Sequence, residues 1–374
     1  MLARLAGALR DEHSRDRRDT LSRKAVELAR RTENPAALVY ALDGRCASII
    51  SPDTVAERLA LGSELRDVAE RIGDTERLLQ AHLHRVIAQL EAGDVPGAEA
   101  DLDAASHIAH DLRMPAQRWQ IGGVEAMLAL AAGRLDEAEK LVQQAFALGE
   151  HTQPTAAIPV YWLQRYALGD FRGSLEEVEP AIRDLVVEYP ARPVFRCALA
   201  HLYVKVGRLP EARRVFVNLA RNSFSTLPFD IEWLYGMSML AETCSALNDE
   251  ASAAVLYRLF LPWATFNVAD IAEGMRGSVS RYLGILATTK GHWRSAAEHF
   301  EDALEMNERM GTRPWLARTQ HDYGRMLLAR DAPGDKEKAQ LLLSQALMTY
   351  RELGMQTGTA SAPTLTLDAG APSP

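Results

Sequence analysis

One pattern recurs along this 374-residue chain and restricts what it can fold into. A glycine or asparagine opens a turn, Asp, Pro or Glu follows, and small or apolar residues stand five and twelve positions further on. It occurs in "AGDVPGAEADLDAA" (Gly93, Ala98, Ala105), "AGRLDEAEKLVQQA" (Gly133, Ala138, Ala145), "LGDFRGSLEEVEPA" (Gly169, Ser174, Ala181) and "VGRLPEARRVFVNL" (Gly207, Ala212, Leu219). It returns in "LNDEASAAVLYRLF" (Asn248, Ala253, Phe260), "GHWRSAAEHFEDA" (Gly291, Ala296, Ala303) and "PGDKEKAQLLLSQA" (Gly334, Ala339, Ala346). "SPDTVAERLALGS" (Ser51, Ala56, Ser63) is a weaker first copy. The turns are spaced 36–43 residues apart, the mark of a helical repeat array. Gly or Asn supplies the left-handed backbone that ends one helix. Positions five and twelve share a face of the next helix, since seven residues make two turns. Small side chains there let two helices approach closely, and Leu219 and Phe260 predict wider spacing in their repeats.

The segments before the turns also carry helical periodicity, as in "TERLLQAHLHRVIAQLEA" and "RPWLARTQHDYGRMLLAR". The expected fold is all-α, with no sheet: leading helices in 1–34, eight helix pairs in 35–355, and a Thr/Ala/Pro-rich disordered tail over 356–374. Pro180 inside a helical pattern predicts a break or kink.

With 47% apolar and 25% charged residues the chain has a core-forming composition, not a disordered one. A net charge of −8 argues against a phosphate-backbone binder, so no direct nucleic-acid partner is expected. The interleaved acids of "RDEHSRDRRDTLSRK" support that reading. No apolar run reaches the about 18 residues of a membrane span. "MLARLAGALRDEHSRD" is too short and charged for a signal peptide. Three scattered cysteines (Cys46, Cys197, Cys244) fit buried thiols in a reducing compartment. The expected location is the cytoplasm.

The pattern resembles the tetratricopeptide repeat, with small first-helix residues at Ala126, Ala200, Ala241 and Gly284, and Gly324 three residues early. "ARPVFRCALAHLYVKVGR", "FEDALEMNERMGTRPWLARTQHDYGRMLLARDAPGDKEKA" and "LLSQALMTYRELGM" look like the helical region of large bacterial ATP-binding regulators. Among these are LuxR-type activators related to the maltose-regulon activator, and ATPase-linked nucleotide cyclases. The resemblance covers about residues 17–355. It implies a right-handed solenoid that senses a protein partner or small inducer, serves in oligomerisation, and works with an ATPase module upstream. No G-x-x-x-x-G-K-[ST] and no DNA-binding helix-turn-helix is found in the chain, which therefore reads as the sensor part alone. The alternatives are a freestanding tetratricopeptide scaffold and, third, an all-helical enzyme with an unrecognised site.

No catalytic constellation stands out, and no cofactor or metal is expected. His107 and His110 share a helix face without further ligands. His82 and His84 lie on different faces, and His321, Asp322 and Tyr323 diverge as helix neighbours. Glu301 and Asp302 also diverge, while Glu176, Glu177 and Glu179 read as a solvated face. Binding is left to the concave face of the array. Carrying over the tetratricopeptide register places Gln120, Met127, Tyr166, His201, Lys205, Tyr235, Glu242, Arg281 and Thr288 on that face.

Overall fold

A computed structural model describes residues 15–270 and 273–356. The expectations for 1–14 and for the tail beyond Gln356 lie outside the described residues. A leading helix, α1 (Arg15–Arg31), is followed by α2 (Pro35–Ser48), α3 (Val55–Ile72), α4 (Thr75–Ala92), α5 (Val95–Asp111), α6 (Pro115–Ala132), α7 (Leu135–Thr152), α8 (Pro154–Arg172) and α9 (Leu175–Glu188). Next come α10 (Val194–Lys205), α11 (Leu209–Ala220), α12 (Glu232–Ala246) and α13 (Glu250–Phe260). Strands β1 (Asn267–Asp270) and β2 (Gly274–Ser278) precede α14 (Val279–Thr289), α15 (Trp293–Arg309), α16 (Arg313–Arg330) and α17 (Asp335–Glu352). The helices pack largely in sequence order, so α2 to α17 form eight successive pairs in a repeat-like array.

The turns work as their sequence requires. Gly93, Gly133, Gly207, Gly291, Gly334 and Asn248 all take positive φ. Ala98, Ala138, Ala212, Ala253, Ala296 and Ala339 are fully buried between paired helices. A side chain on Gly284 would come within 2.8 Å of Phe300, which shows how closely α14 and α15 approach. The three cysteines are buried and free.

Three expectations need correction. The fourth turn is Gly173 (φ 74), not Gly169, which lies inside α8. Val178 and Leu185 are thus the buried residues of that repeat, while Ser174 and Ala181 are only half-buried. In the first copy Ala56 is exposed, because the short 3-10 turn Pro52–Thr54 delays the helix; Arg58 and Leu65 face inward instead. Helix α9 also continues through Pro180, so of the expected break or kink the break does not occur.

The absence of strands is overturned as well. β1 and β2 form an antiparallel ribbon whose residues are all buried. The register passes from Val268↔Gly277 to Ala269↔Met275, leaving Arg276 as an extra, bulged residue. Gly277 takes φ +76, and a side chain on it would strike Trp315 at 2.7 Å. Such a bulge re-aims a side chain, and here it turns Arg276 toward the helices.

The ribbon also packs on the inner helices of the array. It touches α4, α6, α12, α15 and α16. Asn267 donates to the Leu90 carbonyl at 2.8 Å, and Asn307 accepts from the Ser278 amide at 3.0 Å. The array curls until its last helices meet its early ones: α16 packs on α6, and the Gln356 amide donates to the Phe171 carbonyl at 2.9 Å. Gly93 faces Met306, and Gly133 faces Leu353 and Pro314.

A candidate ligand cavity inside the closed array

Five of the residues placed on the inner face meet in one network. Tyr166 of α8 hydrogen-bonds to His201 Nδ1 of α10. His201 Nε2 lies 2.8 Å from Glu242 of α12. Glu242 also accepts from Arg276 at 3.0 Å and from Arg281 of α14 at 2.7 Å. Lys205 Nζ stands 3.3 Å from Glu242 and 3.8 Å from Asp170. Arg281 reaches Asp322 at 2.7 Å, and Arg318 of α16 binds Asp170 at 2.6 Å. That last pair joins residues 148 apart in sequence across the closed array.

Burial sets the charges. Taking Glu242 out of water would raise its pKa, but Arg281, Lys205 and Arg276 hold it well below the usual carboxylate range. Burial pushes His201 down to about 4 against the pull of Glu242, so the imidazole is neutral at pH 7. A neutral ring has one N–H, and an ionised carboxylate only accepts. Nε2–H therefore donates to Glu242, and Nδ1 accepts from the Tyr166 hydroxyl. Asp170 is likewise held ionised: Arg318 and Lys205 overcome its burial. Trp315 lies at the centre, its ring within 4.9–5.6 Å of the guanidinium carbons of Arg276, Arg281 and Arg318.

Beside this network opens a half-enclosed cavity of about 720 Å³. Its lining includes the charged Asp170, Lys205, Glu242, Arg281, Arg318 and Asp322. The apolar Val204, Val206, Leu209, Ile285 and Met326 line it as well. Arg325, His321, Thr288 and Gln356 also line it.

The other residues of the expected face go elsewhere. Gln120 is exposed on α6, and Met127 is 1% exposed in the core between α4 and α8. Tyr235 is buried against the ribbon at Gly274, so neither it nor Arg281 is the exposed, freely replaceable residue that a solvated groove implies. Asp170, Arg276, Arg318 and Asp322 were not selected from the sequence. Asp170 stands three residues before the true turn at Gly173, as Thr288 of the inner-face set does before Gly291. Arg276 lies in the unread ribbon.

The histidines weighed earlier take separate roles. His82 binds Asp101 at 2.6 Å and His84 binds Asp43 at 2.9 Å. His107 contacts the Asp103 carbonyl, and His110 is exposed. Tyr323 turns to Glu301 at 2.8 Å, away from the Asp322 carboxylate. A carboxylate group absent from the sequence reading is Glu232, Asp270 and Glu273, whose oxygens lie within 4.8 Å of one another. Arg192 already bridges two of them, reaching Glu273 at 2.6 Å.

No family model matches the chain, and no curated protein matches it. Among solved structures it is similar to BtubC (BKLC) from P. vanneervenii, at 17% identity over 84% of this chain and 99% of that one. The TM-score of 0.23 is too low to carry a structural argument. Among the described residues no helix is long and apolar enough to cross a membrane.

Proposed function

We propose that this chain is a non-catalytic binding scaffold built from helix pairs of the right-handed tetratricopeptide type, holding its partner or ligand in the cavity inside the array. One observation carries the reading: a half-enclosed cavity of about 720 Å³, lined by both charged and apolar side chains, where residues of five successive helix pairs converge. Cavities of roughly 300–1,000 Å³ with a few convergent polar groups are the usual form of small-ligand sites. The buried alanines at the helix-pair contacts support the repeat type. A sensor role in an ATP-dependent regulator is the wider form of the same proposal. An inducer held there would favour one arrangement of the pairs over another and bias an attached ATPase module.

The test is obstruction. Ala246 lines the cavity, is exposed, and ends α12, so Ala246→Trp fills the mouth at little cost to the core. Protein recovered from its native host should carry a partner or small molecule that the Trp variant lacks. Equal recovery by both proteins refutes the cavity as the binding site.

A further inference from the structure

The cavity lining is asymmetric in its ion pairing. Its three carboxylates are all engaged by the protein's own cations. Asp170 is held by Arg318 at 2.6 Å, Glu242 by Arg276 and Arg281 at 3.0 and 2.7 Å, and Asp322 by Arg281 at 2.7 Å. Four cationic side chains line the same space (Lys205, Arg281, Arg318 and Arg325), and Arg276 stands behind the wall as a fifth. Each wall carboxylate thus already has a cation beside it, while part of the cationic side is left without a carboxylate of its own. Lys205 is partly exposed and sits only at ion-pair distance from Glu242 and Asp170, so its ammonium keeps donors for a third group. Arg325 is exposed and forms no ion pair among the described residues. His321 is partly exposed, with Nδ1 turned to Asp322 at 3.6 Å.

Val204, Val206, Ile285 and Met326 add uncharged, apolar lining to the same space. The β1–β2 ribbon packs on the inner helices of the array, and α16 closes on α6.

We propose that the cavity binds a small amphipathic anion, its compact head group held by Lys205, His321 and Arg325 and its apolar body laid against Val204, Ile285 and Met326. This rests on the reading that the cavity is the ligand site. It adds the chemical class: one localised negative charge on an apolar body of cavity size. Charge-assisted bonds to the head group orient the ligand, and the apolar side chains supply the nondirectional part of the affinity.

The probe is 8-anilinonaphthalene-1-sulfonate, an aromatic anion whose fluorescence rises on binding. It is titrated into the purified chain and then displaced by octanoate, octanol or octyltrimethylammonium. The expected result is one site per chain, displaced by octanoate at least about tenfold more effectively than by the neutral or cationic analogue, the ratio that one charge-assisted contact supplies. Arg325→Gln removes an exposed cation that forms no ion pair among the described residues, so folding is not at risk. It should weaken octanoate about tenfold and leave octanol unchanged. Lys205→Gln should act in the same direction, and Arg294→Gln on the far surface should do nothing.

If octanol displaces the probe as well as octanoate does, or if Arg325→Gln and Lys205→Gln leave octanoate binding intact, the anion assignment is overturned. In that case Ala246→Trp still abolishes binding, and the cavity reading stands. If no probe binds in a way that Ala246→Trp blocks, both readings fall.

Discussion

Replacing Glu242 with glutamine changes one oxygen to an amide nitrogen and removes one charge from the centre of the array. Glu242 accepts from His201 Nε2 at 2.8 Å, Arg281 at 2.7 Å and Arg276 at 3.0 Å, with Lys205 3.3 Å away. Hydrogen bonds to a charged group contribute about 1.5–3 kcal/mol each. The glutamine carbonyl can satisfy one side, but its NH2 then faces donors. The two fully buried arginines lose their shared counter-charge. Breaking a buried pair by removing one partner costs about 3–5 kcal/mol, and Glu242→Gln should fall in that range. The matched control is Glu139→Gln, whose carboxylate pairs with Arg165 and Arg172 at 2.8 and 2.6 Å but is about a third exposed. That change should cost less than about 1 kcal/mol. Urea unfolding followed by circular dichroism reads both, since a slope of about 1–3 kcal/mol/M turns the predicted gap into a midpoint difference on the order of 1 M. Equal midpoints for the two variants would show that the network is hydrated and that the reasoning about its burial is wrong.

Two further outcomes follow from the same geometry. Ala296→Leu should overpack the α15 contact and cost about 1–3 kcal/mol in urea unfolding, whereas Arg294→Ala, at an exposed i,i+4 pair with Glu298, should stay within about 0.5 kcal/mol of wild type; equal losses would place the repeat register in error. Acidification should destabilise the fold through His201, because its folded pKa of about 4 lies below the unfolded 6.5. Stability from this group is present above pH 6.5 and is lost as pH falls toward 4, by about 3 kcal/mol in full. Glu232 acts oppositely, pushed up to about 8 by burial and by Glu273, so the readout is the difference between wild type and His201→Gln. That difference should narrow between pH 7 and 4.5, and a constant difference would deny the neutral, buried imidazole.

The helices were legible because their signals are local. A glycine with positive φ, an acidic or proline start, and alanines two turns apart lie within one short stretch, as at Gly133, Ala138 and Ala145. "LGDFRG" offered two glycines, and the spacing of the copies did not decide between Gly169 and Gly173. The ribbon in "NVADIAEGMRGS" was hidden for a physical reason. It is buried on both faces, so it lacks the alternation that marks a half-buried strand. The inner-face register did bring together Tyr166, His201, Lys205, Glu242 and Arg281, though Tyr166 was chosen from the displaced turn. The register could not show that the ribbon packs on the inner helices, nor that Arg318 would meet Asp170. Such pairings depend on how far the array curls, which is a sum of small rotations over many repeats.

That closure is the central claim, and a double-mutant cycle on Asp170 and Arg318 tests it most directly. The two groups lie 2.6 Å apart only because α16 returns to the end of α8. Unfolding free energies of Asp170→Asn, Arg318→Met and the double variant give their coupling. A closed array predicts at least about 1.5 kcal/mol, as found for close, desolvated charge pairs. An open solenoid would hold the two residues far apart, and a coupling within about 0.5 kcal/mol of zero would contradict the account.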